Sequence, residues 1–161
     1  MKIALAVMSL IVAINSYAAD PVYLDQLMET PAATLQQQFQ GLKKEGCYSI
    51  GNNQFLLISI DKKEGKPWRI ALASEPPCKK PHEGPLMDVR QRKDLHLGDN
   101  TIKVIEKLGR PDASTTPETA LQRLGELEYF YVCRVSEMCA RHTSVFIRDG
   151  LVTAIAEWYS E

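Results

Sequence analysis

Among the residues whose types suit acid–base chemistry, His142 and Glu157 are the pair that the strand pattern predicts to face each other across neighbouring strands. In that position Glu157 would orient His142 as a general base, with Ser144 on the same face of the sheet. The alternative is a solvent-exposed cross-strand ion pair, worth about 0.2–1 kcal/mol. Because an open sheet face excludes little water, we favour the ion pair and expect that the protein is not an enzyme.

Motifs of the common enzyme classes are missing from the sequence. The chain has no Gly-x-Ser-x-Gly elbow, no His-Glu-x-x-His motif, no phosphate loop and no dinucleotide fingerprint. The histidines His82, His96 and His142 are scattered, and Cys78-x3-His82 lacks a second ligand pair at zinc spacing. We therefore expect no catalytic residues, no metal site and no cofactor.

The cysteines favour disulfide bonds over metal binding. There are four of them, Cys47, Cys78, Cys133 and Cys139, and three connectivities are possible. We favour Cys47–Cys78, which would tie a helix–strand unit to a proline-rich loop. We also favour Cys133–Cys139, because a hairpin between two strand-like runs would bring these Cβ atoms within bonding reach.

The N-terminal segment, residues 1–18, has the features of a secretory signal peptide. Lys2 supplies the positive charge, Ile3–Ala13 is an apolar run too short to span a bilayer comfortably, and Ser16–Ala18 forms a cleavage site. The alternatives are a membrane anchor or a buried helix. We predict a protein of the periplasm or the medium, with no membrane span and no lipid anchor after processing, because the first cysteine, Cys47, lies far downstream.

The hydrophobic pattern predicts helices followed by strands, in that order, twice. The predicted elements are helices at Pro21–Glu29 and from Pro31 to a stop at Gly46, strands at Cys47–Ile50, Gln54–Asp61 and Trp68–Ser74, a short strand at Leu86–Gln91, helices at Asn100–Leu108 and Pro117–Leu124, and strands at Glu126–Cys133, Arg141–Arg148 and Leu151–Tyr159. We predict an α+β fold in which helix pairs pack on an antiparallel sheet. It would consist of two tandem disulfide-stabilised units, residues 20–75 and 86–161, joined by a proline-rich linker at residues 76–85.

Turn residues allow the strand register to be predicted. Asp149-Gly150 is typical of a two-residue type I′ hairpin, which pairs Arg148 with Leu151 and places His142 opposite Glu157. If Cys133 faces Cys139, Phe130 lies opposite His142. One resulting face is apolar and should pack on the helices: Leu127, Tyr129, Tyr131, Val145, Ile147, Val152, Ala154, Ala156 and Trp158. The other is mixed and should face solvent or a partner: Glu128, Phe130, His142, Ser144, Phe146, Arg148, Thr153, Ile155 and Glu157.

The mixed face supplies a candidate binding surface. We assign Phe130, His142, Phe146, Arg148 and Glu157 to it, because exposed aromatic anchors beside an arginine are typical of interface hot spots. The alternative is that another layer of the protein covers the two phenylalanines.

The second half of the chain resembles a known family. Gly98-Asp99-x4-Val104-Ile105-x-x-Leu108-Gly109-x-Pro111, followed by strands with Phe146-Ile147-x-Asp149-Gly150-x-Val152, is similar to the outer-membrane-assembly lipoproteins (BamE/SmpA) and to the β-lactamase inhibitor protein fold. The resemblance covers about residues 95–159 and implies a helix pair on an antiparallel sheet. The inhibitor fold consists of two such units in tandem, with a disulfide in each.

These observations favour an exported module that binds another protein, by occlusion through a sheet surface, as an inhibitor or an immunity-type protein does. The alternative is an envelope-assembly or cell-wall-associated structural factor. A hydrolase using His142 and Glu157 is a third hypothesis. The formal net charge of −1 gives no electrostatic footprint for nucleic acid.

Overall fold

The computed structural model describes residues 20–61, 63–133 and 141–159. In chain order the elements are β1 (Val22–Tyr23), α1 (Leu24–Glu29), α2 (Ala32–Gln38), β2 (Glu45–Gly51), β3 (Gln54–Asp61), β4 (Lys66–Ala73), β5 (His82–Glu83), β6 (Val89–Arg90), α3 (Thr101–Leu108), β7 (Ala113–Thr115), β8 (Leu127–Val132), β9 (Arg141–Arg148) and β10 (Leu151–Tyr159). The predicted signal peptide, residues 1–18, lies outside the described residues, and so does Cys139 of the predicted Cys133–Cys139 disulfide.

Eight strands form one sheet in the order β5-β2-β3-β4-β10-β9-β8-β7. Neighbouring strands are antiparallel except β2 and β5, which pair in parallel. Strands of the two halves of the chain join where β4 pairs with β10, from Ala73 opposite Ala154 to Arg69 opposite Trp158. The predicted α+β class with a largely antiparallel sheet is confirmed. β1 and β6 pair separately, in parallel.

The main core lies between the helices and one face of this sheet, the helix-side face. Because side chains alternate along each strand, every second side chain lies on this face. The apolar sides of α1 and α2 cover these side chains. Its largest fully buried members include Leu24, Met28, Leu35, Phe39, Tyr48, Ile50, Leu56, Ile58, Ile70 and Leu95.

The second helix ends earlier than predicted. α2 stops at Gln38, and the chain turns at Gly41, whose φ of +82° lies in the left-handed region that favours glycine. The predicted stop, Gly46, lies in β2. A Cβ atom at position 46 would come within 2.5–2.8 Å of the Tyr48 side chain. The close approach of that side chain, rather than the end of a helix, therefore accounts for glycine at this position.

The third helix has its predicted position. Asn100 is its N-cap residue, and the Asn100 side chain accepts a hydrogen bond from the first turn. Although Ile102 and Ile105 are apolar, they are 66% and 43% exposed. The reason is that α3 lies at the margin of the sheet and offers the core a single fully buried residue, Val104.

The predicted disulfide between Cys47 and Cys78 is present, with the Cα atoms 6.4 Å apart. It links β2 to the proline-rich loop across a sequence separation of 31 residues. Closing a loop of that length stabilises the folded chain by roughly 3–4 kcal/mol, in the chain-entropy view. The same loop contains β5, which adds a strand at the edge of the sheet next to β2.

The β9–β10 hairpin begins in the predicted register and then departs from it. Arg148 pairs with Leu151 and Ile147 with Val152, but a bulge at Thr153 places Ala154 opposite Phe146. The Thr153 hydroxyl stabilises the bulge by donating to the Leu124 carbonyl at 2.6 Å. A shift of one residue sends every later side chain of β10 to the opposite face.

This bulge overturns the predicted pairing of His142 with Glu157. His142 pairs with Trp158, whereas Glu157 pairs with Thr143 on the helix-side face. The predicted position of Ile155 on the mixed face is wrong for the same reason, because Ile155 belongs to the main core. Turn type alone indicated the register near the turn and carried no information about the bulge.

The register between β8 and β9 also differs from the prediction, but without changing faces. Phe130 lies opposite Ser144, and His142 opposite Val132. The shift is two residues along one strand, which keeps each side chain on its predicted face because alternation has period two.

Candidate functional site

The face of the sheet opposite the helices, called the open face, carries a second and smaller core cluster. Its buried members are Cys47, Leu57, Ala71, Ala73, Leu124, Phe146, Ala154 and Ala156. Small side chains in β4 and β10 leave room above the middle of the sheet. Two depressions are of interest: one on this open face, and a larger one on the helix side.

The depression on the open face, called the aromatic groove, has a volume of about 400 Å³. It is lined by Trp68, Arg69, Ala113, Thr115, Glu118, Leu121, Glu128, Phe130, Ser144, Phe146, Ala156 and Trp158. These residues come from β4, β7, β8, β9, β10 and the turn at residues 116–126, so both halves of the chain build it.

Trp68 is the most exposed aromatic side chain of the groove, at 39%. Its position follows from an irregularity in β4, where Arg69 pairs with Ser59 but Pro67 pairs with Ile60, which leaves Trp68 as the additional residue. Pro67 lacks a backbone N–H, which is consistent with a bulge at this point.

Arg69 stacks on Trp68, with its guanidinium carbon 4.5 Å from the ring centroid. Its Nη2 atom donates to Glu45 at 3.3 Å, whereas its Nε atom is buried and has no hydrogen-bond partner within the described residues. Burial lowers the pKa of Arg69, and the negative charge of Glu45 opposes that effect. The guanidinium keeps its charge at any physiological pH but is incompletely hydrogen-bonded.

A short hydrogen-bond chain fixes the floor of the groove. The Trp158 indole N–H donates to the Ser144 hydroxyl at 3.0 Å, and that hydroxyl donates to Glu128 at 2.6 Å. Because each donor has its acceptor, the Trp158 ring has a defined orientation before any partner arrives.

His142 belongs to a ring cluster at the end of the groove. Its centroid is 5.1 Å from Phe130 and 5.1 Å from Trp158, and those two rings are 5.4 Å apart. Burial lowers the pKa of His142, and its buried Nδ1 has no hydrogen-bond partner in the described part of the chain. The imidazole is therefore neutral near pH 7 and acts as an aromatic contact.

The five sequence-predicted surface residues do not form one patch. Phe130 and His142 lie together at the groove, but Phe146 is only 1% exposed because the turn at residues 117–125 packs over it. That turn was predicted as a helix and covers the sheet as a non-helical layer. Arg148 is held by Glu75 at 2.7 Å and by Glu126 at 3.8 Å, and Glu157 lies on the helix-side face.

Sequence reasoning missed Trp68 and Arg69 and placed Trp158 on the wrong face. Proline next to tryptophan inside a predicted strand was a usable signal for a bulge in β4. No comparable signal marks Thr153 as the bulge that turns Trp158 to the open face.

The depression on the helix side, called the charged cleft, has a volume of about 700 Å³. It lies between the start of α1, the turn at residues 91–93, the end of α3 and the adjoining ends of β8, β9 and β10. Its lining residues are Leu24, Asp25, Gln91, Arg92, Lys93, Leu108, Gly109, Arg110, Pro111, Asp112, Tyr131, Val132, Cys133, Arg141, Thr143 and Glu157.

Glu157 is the most deeply buried charged group of this cleft, with a side chain 7% exposed. Thr143 donates a hydrogen bond to it at 3.0 Å, and Arg141 lies 3.8 Å away. Burial raises the pKa of Glu157 to about 7, Thr143 and Arg141 act in the opposite direction, and the charge of Asp25 raises it further.

Comparison with known proteins identifies a fold but no family. No protein-family model matches the chain, and no curated protein matches it. The structure is similar to the crystal structure of a DUF4309 family protein, YjgB, from Bacillus subtilis, with a TM-score of 0.52 and 13% sequence identity, over 82% of this chain and 80% of that one. A likeness at this identity concerns the fold alone.

Two observations bear on the predicted location. None of the helices in the described ranges is long and apolar enough to cross a membrane. The Cys47–Cys78 disulfide is compatible with an exported protein, because such bonds persist in oxidising compartments.

Proposed function

We propose that this protein is an exported module that binds another protein through the aromatic groove. The observation that carries the proposal is the exposed Trp68 ring stacked on the incompletely hydrogen-bonded Arg69, beside a groove floored by small residues. Tryptophan and arginine are the residue types most enriched in interface hot spots.

The groove favours a partner with a protruding apolar side chain. Ala156 and the ordered Trp158 ring leave an apolar floor, and Trp68 and Phe130 provide walls that a partner side chain would contact. The positive charge of Arg69, whose side chain is 12% exposed, would attract a carbonyl or carboxylate oxygen of the partner beside the apolar contact.

Binding of this kind would act by occlusion. His142 and Glu157 lie on opposite faces of the sheet, so they do not form the acid–base pair that a catalytic mechanism would need. An inhibitor or immunity-type protein would work in this way, by covering a functional surface of its target. We propose the periplasm or the medium as the place of action, in accord with the predicted signal peptide.

A tandem origin of the two halves is a further part of the proposal. The meander β2-β3-β4 and the meander β8-β9-β10 meet along their last strands, which are antiparallel. Two copies of one ancestral unit related by a two-fold axis would meet in this way. The described residues of the second half contain one helix, α3, where a full repeat has a pair.

Affinity capture with matched variants tests the proposed function. The oxidised protein, Trp68→Ala and Leu86→Ala would each be used to capture partners from the organism's own exported fraction. Leu86 is a suitable control because it is 86% exposed and does not line the groove. We expect one soluble partner, retained by Leu86→Ala and bound about 30-fold more weakly by Trp68→Ala, which corresponds to a hot-spot loss of about 2 kcal/mol.

Two results would contradict the proposal. Equal retention of the partner by both variants would show that the groove is not the binding surface. Recovery of a membrane assembly complex, bound independently of Trp68, would favour the envelope-assembly alternative.

A further inference from the structure

The charged cleft on the helix side separates most of its charges by depth. Two of its three carboxyl groups lie at the bottom, where the side chain of Glu157 is 7% exposed and that of Asp25 is 18% exposed; the third, Asp112, is exposed. Three of its cations lie towards the mouth, where the side chain of Arg92 is 53% exposed and Lys93 and Arg110 are exposed. Arg141, whose side chain is 33% exposed, lies beside Glu157. The floor therefore has two carboxyl groups and one cation, whereas the mouth has three cations and one carboxyl group.

The groups at the floor are not fully hydrogen-bonded. Arg92 donates to Asp25 Oδ2, but Asp25 Oδ1 is buried and has no donor within the described residues. A buried carboxylate oxygen without a donor is costly, so a ligand that brings an N–H donor to the floor would relieve this cost. Asp25 lines the cleft, and the terminal torsion of its carboxylate is broad, so the group can reorient towards a donor that enters there.

The cations at the rim are available to a ligand. The side chains of Lys93 and Arg110 make no ion pair or hydrogen bond in the part of the chain that the structure describes. They would repel a polyamine or a divalent cation approaching the acidic floor. They would attract the carboxylate of a ligand whose other end is cationic.

We propose that the charged cleft binds a short zwitterionic peptide, with its terminal ammonium at Asp25 and Glu157 and its carboxylate at Lys93 and Arg110. The volume of about 700 Å³ is within the range of small-molecule sites and accommodates a dipeptide or tripeptide. Leu108 and Pro111, which are half-buried, supply apolar surface for the side chains between the two charged ends. This site is separate from the aromatic groove and lies on the other face of the sheet.

Isothermal titration calorimetry with three probes tests the assignment of each end. The probes are alanyl-leucine, its N-acetylated form and its C-terminal amide, titrated into the oxidised full chain at pH 7.5. We expect alanyl-leucine to bind with a stoichiometry of one. Because acetylation removes the cation and two donors, we expect about tenfold or greater weakening for the acetylated probe, and severalfold weakening for the amide.

Variants connect each end of the probe to its residues. Asp25→Asn should remove most of the difference between the free and acetylated probes. Arg110→Gln, an exposed substitution that leaves the core untouched, should remove most of the difference between the acid and the amide. Arg123→Gln, which lies beside Glu45 and does not line the cleft, is the matched control and should bind all three probes as the unmodified protein does.

The outcomes separate this proposal from the proposed function. Trp68→Ala should bind alanyl-leucine with unchanged affinity, because the two sites lie on opposite faces. Equal affinity for the free and acetylated probes, or no binding of any probe at millimolar concentration, would overturn the peptide site and leave the groove proposal standing.

Discussion

Replacing Glu157 by glutamine tests the chemistry at the floor of the charged cleft. The pKa of Glu157 is raised from 4.5 to about 7, chiefly because the group is buried. A folded-state pKa above the unfolded value means that the folded state binds the proton more tightly. Protonation of Glu157 therefore stabilises the folded state fully below about pH 4.5, and this stabilisation is lost as the pH rises through about 7.

The size of this effect follows from the same values. At about 1.4 kcal/mol for each pKa unit, a rise from 4.5 to about 7 corresponds to about 3 kcal/mol of stability lost between pH 4.5 and pH 8. Glutamine keeps the acceptor oxygen for the Thr143 hydroxyl and carries no charge at any pH. As the pH rises from 4.5 to 8, we therefore expect the free energy of unfolding of Glu157→Gln to increase by about 3 kcal/mol relative to that of the unmodified protein.

Urea unfolding of the oxidised protein at intervals from pH 4.5 to pH 8 measures this difference. The comparison with the variant is needed because His142 titrates in the same range with the opposite sign. Its pKa is lowered by burial, so its contribution to stability increases with pH and cancels in the difference between the two proteins. Arg141, Thr143, Asp25 and Arg92 remain in both proteins.

Glu106→Gln is the control, because Glu106 is an exposed carboxyl on α3. The difference in free energy of unfolding between Glu106→Gln and the unmodified protein should stay nearly constant across the same pH range. A difference for Glu157→Gln that is also constant from pH 4.5 to pH 8 would refute the argument, since it would show that Glu157 titrates as a solvated carboxyl.

Two further predictions concern stability. Replacing Cys47 and Cys78 together by alanine should lower the free energy of unfolding by roughly 3–4 kcal/mol, measured by urea unfolding, and an unchanged midpoint would contradict the role given to this bond. Gly125→Ala should destabilise the protein by about 1–3 kcal/mol, because a Cβ atom there would lie 2.8 Å from the Ile147 nitrogen and 2.9 Å from the Phe146 Cβ. The control is Gly65→Ala, where the added Cβ meets no atom within 4 Å but a φ of +64° adds backbone strain. Only a loss of stability at Gly125 that is larger than the loss at Gly65 would support the close packing.

Local sequence signals predicted the elements that they determine directly. The bounds of β3, β9 and β10 match the expected strands, and Asp149-Gly150 forms the expected turn, with both residues at positive φ. The Cys47–Cys78 pairing was also predicted. In each of these cases a short segment contains the physical cause of its own structure.

The missed features depend on contacts between distant segments. The bulge at Thr153 is stabilised by the Leu124 carbonyl, 29 residues away, so the sequence near the turn does not specify it. That one residue moves Trp158 to the aromatic groove and Glu157 to the charged cleft. Phe146 is buried under the turn at residues 117–125, and the sequence predicts a helix there but does not show that it covers Phe146. Both sites therefore depend on tertiary structure that a strand pattern does not reveal.

Site-specific photo-cross-linking would show whether a partner protein binds in the aromatic groove. A benzoylphenylalanine residue would replace Trp68 in one protein and Leu86 in another, and each would be irradiated in the exported fraction. We expect a single cross-linked partner from position 68, absent from position 86 and lost when excess unlabelled protein competes. The same partner cross-linked equally from both positions, or from neither while affinity capture still recovers it, would contradict binding through the aromatic groove.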